Sequence, residues 1–307
     1  MKALPRKPAR RKRFYEVIVL KKRILALCLL AALLLSGCQS RAPQASGVTV
    51  VASFYPVYTA LLQVADGVPG VTVSNLTAQS GGCLHDYALT TADLKALSHA
   101  DLLVINGAGM EPFMDKIREN LPALRIVDTS AELTLLGDNP HVWMSIENYR
   151  KQLEAIRAAL AAAYPEQADA FSKNAAAYDQ KLAALQTRAD EALAPFRGKK
   201  IVTFHEAFDY LAQEFGLTVA ARISHDEHSA PTPNEIKNTI LLMQNEQLTA
   251  IFTEPDNADS TIDSIAGATG AAVYSLDPVT APNGAPDRDA YLAAMEQNIE
   301  TLKNALS

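Results

Sequence analysis

Six histidines lie along the 307-residue chain: His85, His99, His141, His205, His225 and His228. Neutral imidazole is the commonest protein ligand for transition metals, and carboxylates complete such sets. His85, His141, His205 and Asp277 are separated by 56, 64 and 72 residues, so they form no local finger-type motif. Each is a weak candidate alone. A histidine near a large aromatic, as His141 is near Trp143, packs or caps more often than it ligates. Pro140 fixes its own φ and drives Asn139 toward an extended conformation, which presents His141 from a stiffened loop. His225-Asp226-Glu227-His228 could recruit metal weakly near the site, or could be a solvated polar loop. Cys83, two residues before His85, could supplement a ligand or pack as a small apolar side chain. Glu254 could orient a ligand or close a hydrogen bond between lobes. His99, before Ala100-Asp101 at a helix end, reads as structural.

What must position these residues is an alternation of strands and helices. Residues 48–54, 71–76, 102–105 and 125–128 read as strands with helical segments between them. From Tyr149 to Ala194 the chain is rich in Ala, Leu, Lys, Glu and Gln, the strong helix formers. It predicts one helix ending near Tyr164 and a longer one from Pro165 to about Leu193. Strand patterns return at 200–204, 217–223, 250–253 and 271–276. The expected fold is α/β, with two doubly wound parallel-sheet lobes joined by a long rigid helix and the site in the interlobe cleft. The expected divisions are a signal over 1–37, a flexible tether over 38–47, an N-terminal lobe over 48–164, a connecting helix over 165–197 and a C-terminal lobe over 198–307.

Open α/β sheets bind ligands outside the carboxyl ends of their strands. That rule selects His85 after the second strand, and His205 and Asp277 directly after later ones. His141 joins them from the loop before the helical half. Three imidazoles and one carboxylate suit tetrahedral Zn(II), with Mn(II) and Fe(II) as the nearest rivals. Binding to neutral imidazoles predicts an affinity that falls as pH drops through the histidine range.

The amino terminus predicts export. Ten basic residues and one acid precede an apolar run over 24–35, which is followed by Ser36-Gly37-Cys38. The run is shorter than the ~18 apolar residues a membrane span requires. Leu35-Ser36-Gly37-Cys38 resembles the lipobox of bacterial lipoproteins, which implies cleavage before Cys38, lipidation of its thiol and anchoring to the outer face of the cytoplasmic membrane. Loss of residues 1–37 takes the net charge from −6 to −15. An acidic mature chain argues against nucleic acid and accords with a cation as ligand. A single remaining thiol, Cys83, allows no disulfide within it.

The motifs Ser53-Phe54-Tyr55-Pro56, His85-Asp86-Tyr87, Asn106-Gly107-Ala108-Gly109-Met110-Glu111-Pro112, Asn139-Pro140-His141-Val142-Trp143, Phe204-His205-Glu206-Ala207-Phe208, Phe252-Thr253-Glu254-Pro255 and Leu276-Asp277-Pro278 span nearly the whole mature chain. Together they resemble the metal-binding solute receptors of bacterial ABC importers, the zinc and manganese lipoproteins. The resemblance implies that His85, His141, His205 and Asp277 coordinate the transported metal. It also implies an ABC permease as partner, a monomeric receptor and no enzymatic activity. Histidine rather than glutamate at position 205 implies a zinc-type member. The chain departs from the family pattern at three places. Gly82-Cys83-Leu84-His85 lacks the usual proline, Leu135-Leu136-Gly137-Asp138 stands where many zinc-type members carry a long His-rich loop, and Ser145-Ile146 replaces an acidic residue and proline. The rival of another class is a secreted zinc hydrolase using Glu206 or Glu254 as base, for which no His-Glu-x-x-His motif is present. A surface adhesin with a structural metal is a third reading.

Overall fold

A computed structural model describes residues 47–78, 82, 84–85, 87–223, 231–255, 259–282, 284 and 287–307. The expected signal, the tether up to residue 46 and the lipidated Cys38, together with Cys83, His225 and His228, lie outside the described residues.

The first lobe runs β1 (Val48–Ala52), α1 (Tyr55–Val64), β2 (Val71–Asn75), α2 (Thr91–Leu97), β3 (Leu102–Ile105), α3 (Met114–Asn120) and β4 (Arg125–Asp128). Its strands are parallel in the order β2-β1-β3-β4. All four residues of β3 are buried, as expected of a central parallel strand covered on both faces. Local chemistry sets the helix starts. Thr90 and Asp93 form a capping box for α2, and Pro56 occupies the first turn of α1, where no N–H is needed.

Two helices follow, α4 (Ile146–Ala163) and α5 (Ala168–Leu193), with a 3-10 turn at Pro165–Gln167 between them. Helix α4 begins three residues earlier than the composition suggests because the Ser145 hydroxyl accepts the Asn148 N–H and fixes the start. Proline at 165 nucleates the 3-10 turn, so the long helix itself starts at Ala168. With 26 residues it is about 39 Å long. Its buried residues Phe171, Ala175, Tyr178, Leu182, Leu185, Ala189 and Leu193 recur every three or four positions, which makes one continuous apolar stripe.

The second lobe repeats the first with β5 (Lys200–Thr203), α6 (Asp209–Glu214), β6 (Thr218–Arg222), α7 (Pro233–Glu246), β7 (Ala250–Thr253), α8 (Ser260–Thr269), β8 (Ala272–Ser275) and α9 (Ala290–Leu306). Its parallel order is β6-β5-β7-β8, the same topology as the first sheet. Helix α5 packs on α1 and α4 of the first half and on α9 of the second. One hydrophobic core therefore runs from Val50 and Leu103 through Phe171 and Leu182 to Phe252 and Met295. A smaller cluster, including Val202, Ile251, Met243 and Ile262, lies on the other face of the second sheet, beneath α7 and α8. A core shared across both sheets resists large rotations, because close-packed interiors deform little. Among the described residues, no helix is long and apolar enough to cross a membrane.

Candidate metal centre

Identical topology puts a crevice in each sheet where the strand order reverses, between β1 and β3 and between β5 and β7. His205 emerges at the second of these. The Phe204 N–H still donates to the Phe252 carbonyl at 2.7 Å, and His205 then leaves the sheet in an extended conformation. Its ring is fully buried, and its Nδ1 lies 2.7 Å from Oε1 of Glu254, the residue that follows β7. With Nδ1 held by a carboxylate, Nε2 is the nitrogen this imidazole offers to a metal.

His141 comes from the loop between β4 and α4. Asn106, at the end of β3, donates through Nδ2 to the Pro140 carbonyl at 2.9 Å, and Gln152 of α4 donates to Asn106 Oδ1 at 3.0 Å. A 3-10 turn at Val142–Met144 follows. Trp143 is fully buried beneath it, edge-on to Phe54 with centroids 5.0 Å apart and 5.2 Å from the His141 ring. Its Nε1 donates to the Pro278 carbonyl at 2.8 Å, so the tryptophan also anchors the segment that carries Asp277. Burial and the neighbouring His205 and His85 rings hold the His141 pKa well below the usual histidine value. The ring is neutral at neutral pH, the form that binds metal.

His85 sits half-buried in the turn after β2. Its ring centroid is 5.4 Å from that of His141 and 6.5 Å from that of His205, while His141 and His205 are 4.8 Å apart. One ring nitrogen from each of the three lies within 4.8 Å of the others. Among the described residues this is the one group of three or more His, Cys, Asp or Glu side chains so arranged. Asp277 is placed differently. Its Oδ1 accepts the Val279 N–H at 2.7 Å, its own N–H donates to Asn298 Oδ1, and it is outside that three-residue set. Glu206, next to His205, is half-buried, and burial raises its pKa.

Three further residues hold the ligand loops; each lies in a motif quoted from the sequence, but none was given this role there. Asn139 accepts the His141 N–H at 3.0 Å, a turn that its place before Pro140 signals. Asn106 grips Pro140 as described. Glu111, buried behind it, accepts Ser53 Oγ at 2.7 Å and the N–H groups of Asn106 and Gly107 at 2.8 and 3.0 Å. That turn requires glycine: Gly107 has φ +81°, and a Cβ there would lie 1.8 Å from Asp128 Oδ1. Glu111 lies in the motif over residues 106–112, but the motif does not reveal its partners, which meet only in the folded chain.

The family described as zinc-uptake complex component A, periplasmic, matches residues 50–305. The chain belongs to this family. The match accords with the metal-binding receptor family that the sequence motifs resemble. The zinc-binding lipoprotein AdcA of Streptococcus pneumoniae is 27% identical over an alignment covering 92% of this chain and 61% of AdcA, so the chain spans less than two thirds of that relative. Among solved structures, the SBP FpvC from Pseudomonas aeruginosa in complex with Mn2+ superposes with a TM-score of 0.76 at 27% identity, covering 84% of this chain and 98% of FpvC. The laminin-binding protein Lmb of Streptococcus agalactiae, described as an adhesin with metal-transporting activity, gives a TM-score of 0.76 at 28% identity over 85% of this chain and all of Lmb.

Proposed function

We propose that this zinc-uptake family member is an extracytoplasmic receptor that captures Zn(II) and delivers it to an ABC-type permease. His85, His141 and His205 supply three nitrogens, and Asp277 supplies the fourth ligand. The observation that carries the reading is the convergence of three imidazoles from three separate loops, with one nitrogen of each within 4.8 Å of the others. Three nitrogens with one carboxylate favour zinc over manganese, which prefers oxygen-rich shells. FpvC with bound Mn2+ makes manganese the specific alternative. Glu254 holds His205 from behind, and Trp143 ties the segment that carries Asp277 to the His141 turn. Four protein ligands leave no position for an activated water, in keeping with a carrier. The domain divisions given above and a lipid anchor at Cys38 belong to the same reading. Lipid would keep the receptor beside its permease.

Titration calorimetry of metal-free protein with Zn(II) and Mn(II) tests the substrate. Tight 1:1 zinc binding is expected, with a loss on the order of 100-fold or more in His205→Ala, one ligand's share of a four-ligand affinity. Tighter manganese than zinc binding would overturn the substrate, and zinc affinity unchanged by His205→Ala would overturn the ligand assignment.

A further inference from the structure

Asn139 is bonded on both sides of the cleft. Its Oδ1 accepts the His141 N–H at 3.0 Å and lies 2.9 Å from His141 Nδ1. Its Nδ2 donates to the Glu206 carbonyl at 2.9 Å and to Asp209 Oδ2 at 3.3 Å. Two of these partners have fixed roles, because a backbone N–H only donates and a backbone carbonyl only accepts. They leave one orientation for the amide, with its oxygen toward His141. Nδ1 of His141 must then carry the proton that meets this oxygen, and the lone pair resides on Nε2. The second lobe holds the main chain of the same turn as well: the Tyr210 hydroxyl donates to the Asn139 carbonyl at 2.9 Å and accepts the Leu136 N–H at 2.9 Å.

The geometry points to Asn139 as a positioning residue with two jobs. It selects the Nδ1–H tautomer of His141, and it ties that ring to the turn immediately after His205, so that both imidazoles are set relative to each other before metal arrives. The link to metal capture rests on the zinc-receptor reading; the tautomer does not. The asparagine amide serves both jobs because it carries an acceptor and a donor together. Aspartate would keep the acceptor but lose the donor, and would bring a second carboxylate against Asp209, which already pairs with Arg222 at 2.7 Å. Leucine would do neither.

Long-range proton–nitrogen NMR of the imidazole nitrogens in metal-free protein reads the tautomer directly, and zinc titration of the same samples reads the tie. Wild type and Asn139→Asp are expected to show His141 as the Nδ1–H tautomer, and Asn139→Leu a mixture of both. Zinc affinity should fall by about 10–100-fold in Asn139→Leu, and by less in Asn139→Asp. An unchanged tautomer in Asn139→Leu, or wild-type zinc affinity in both variants, overturns the inference. Should the leucine variant not fold, the aspartate variant decides: wild-type affinity there sinks the tie, and loss of the tautomer there sinks the first job. Wild-type protein that shows the tautomer yet binds no zinc would instead overturn the receptor reading and leave the positioning role standing.

Discussion

The two sheets share one topology, and each brings a largely buried carboxylate to its crevice, yet the two carboxylates have different partners. In the first lobe Glu111 accepts Ser53 Oγ and the N–H groups of Asn106 and Gly107, so it welds the ends of β1 and β3 together. In the second, Glu254 at the end of β7 meets the Nδ1 of His205 at the end of β5. One carboxylate is enclosed by donors that are part of the scaffold. The other is spent on a ring whose remaining nitrogen faces two more imidazoles. The topology supplies a crevice in both lobes, and what stands just past the first strand of each, Ser53 after β1 or His205 two residues beyond β5, decides whether that crevice is a joint or a binding site. The first lobe then contributes indirectly, because Asn106, held through its N–H by Glu111, grips Pro140 and thereby His141.

Breaking each carboxylate should therefore give opposite signatures. Burial raises the Glu111 pKa from 4.5 to about 7, against the lowering effect of its three hydrogen bonds. A carboxyl raised in the folded state stabilises fully below its unfolded pKa, and that contribution is lost as pH rises through the folded value. The shift corresponds to about 3 kcal/mol. Urea denaturation of wild type and Glu111→Gln should thus show the wild type losing about 3 kcal/mol relative to the variant between pH 4.5 and 8. A constant difference across that range would mean that Glu111 ionises in the folded protein as it does in the unfolded chain, and would overturn the raised pKa. Zinc affinity of the folded variant should change little by comparison. Glu254→Ala should do the reverse, lowering zinc affinity by about 10–100-fold with a smaller effect on unfolding, since it frees the His205 ring rather than a strand joint. If Glu254→Ala cost stability alone, the second crevice would be a joint like the first.

Much of this arrangement is legible in sequence, and the illegible part has a common cause. His205 could be placed because an apolar β-branched run ends just before it, and strand ends define the crevice. His141 could be placed because Pro140 stiffens its approach. Asp277 also follows a strand, but which way a side chain turns at a strand end depends on the next few backbone groups. Here one of its oxygens accepts the Val279 N–H, and the residue is outside the set of three imidazoles. The roles of Glu111, although it lies in the motif over residues 106–112, and of Glu214 were illegible for another reason. Their partners include residues 58 and 68 positions away in sequence, and no local periodicity encodes such a meeting.

Glu214 gives the smallest and most discriminating of these effects. The sequence at Ser145-Ile146 lacks the acidic residue usual in the family, yet a helix starting there needs acceptors for its first N–H groups. Glu214 supplies them from the opposite lobe: Oε2 accepts the Ile146 N–H at 2.7 Å and Oε1 the Glu147 N–H at 2.9 Å, while Ser145 Oγ takes Asn148. The carboxylate also sits where the helix dipole favours negative charge. Burial raises its pKa and offsets part of that gain, so Glu214→Ala should cost about 1 kcal/mol, within the range for a lost N-cap. This contact, like Asn139, joins the His141 segment to the second lobe, but it touches neither ring. If joining the lobes were all that zinc capture required, Glu214→Ala would weaken zinc binding as much as Asn139→Asp does. If the orientation of the rings is what matters, calorimetry should find its zinc affinity close to wild type while its unfolding midpoint in urea drops.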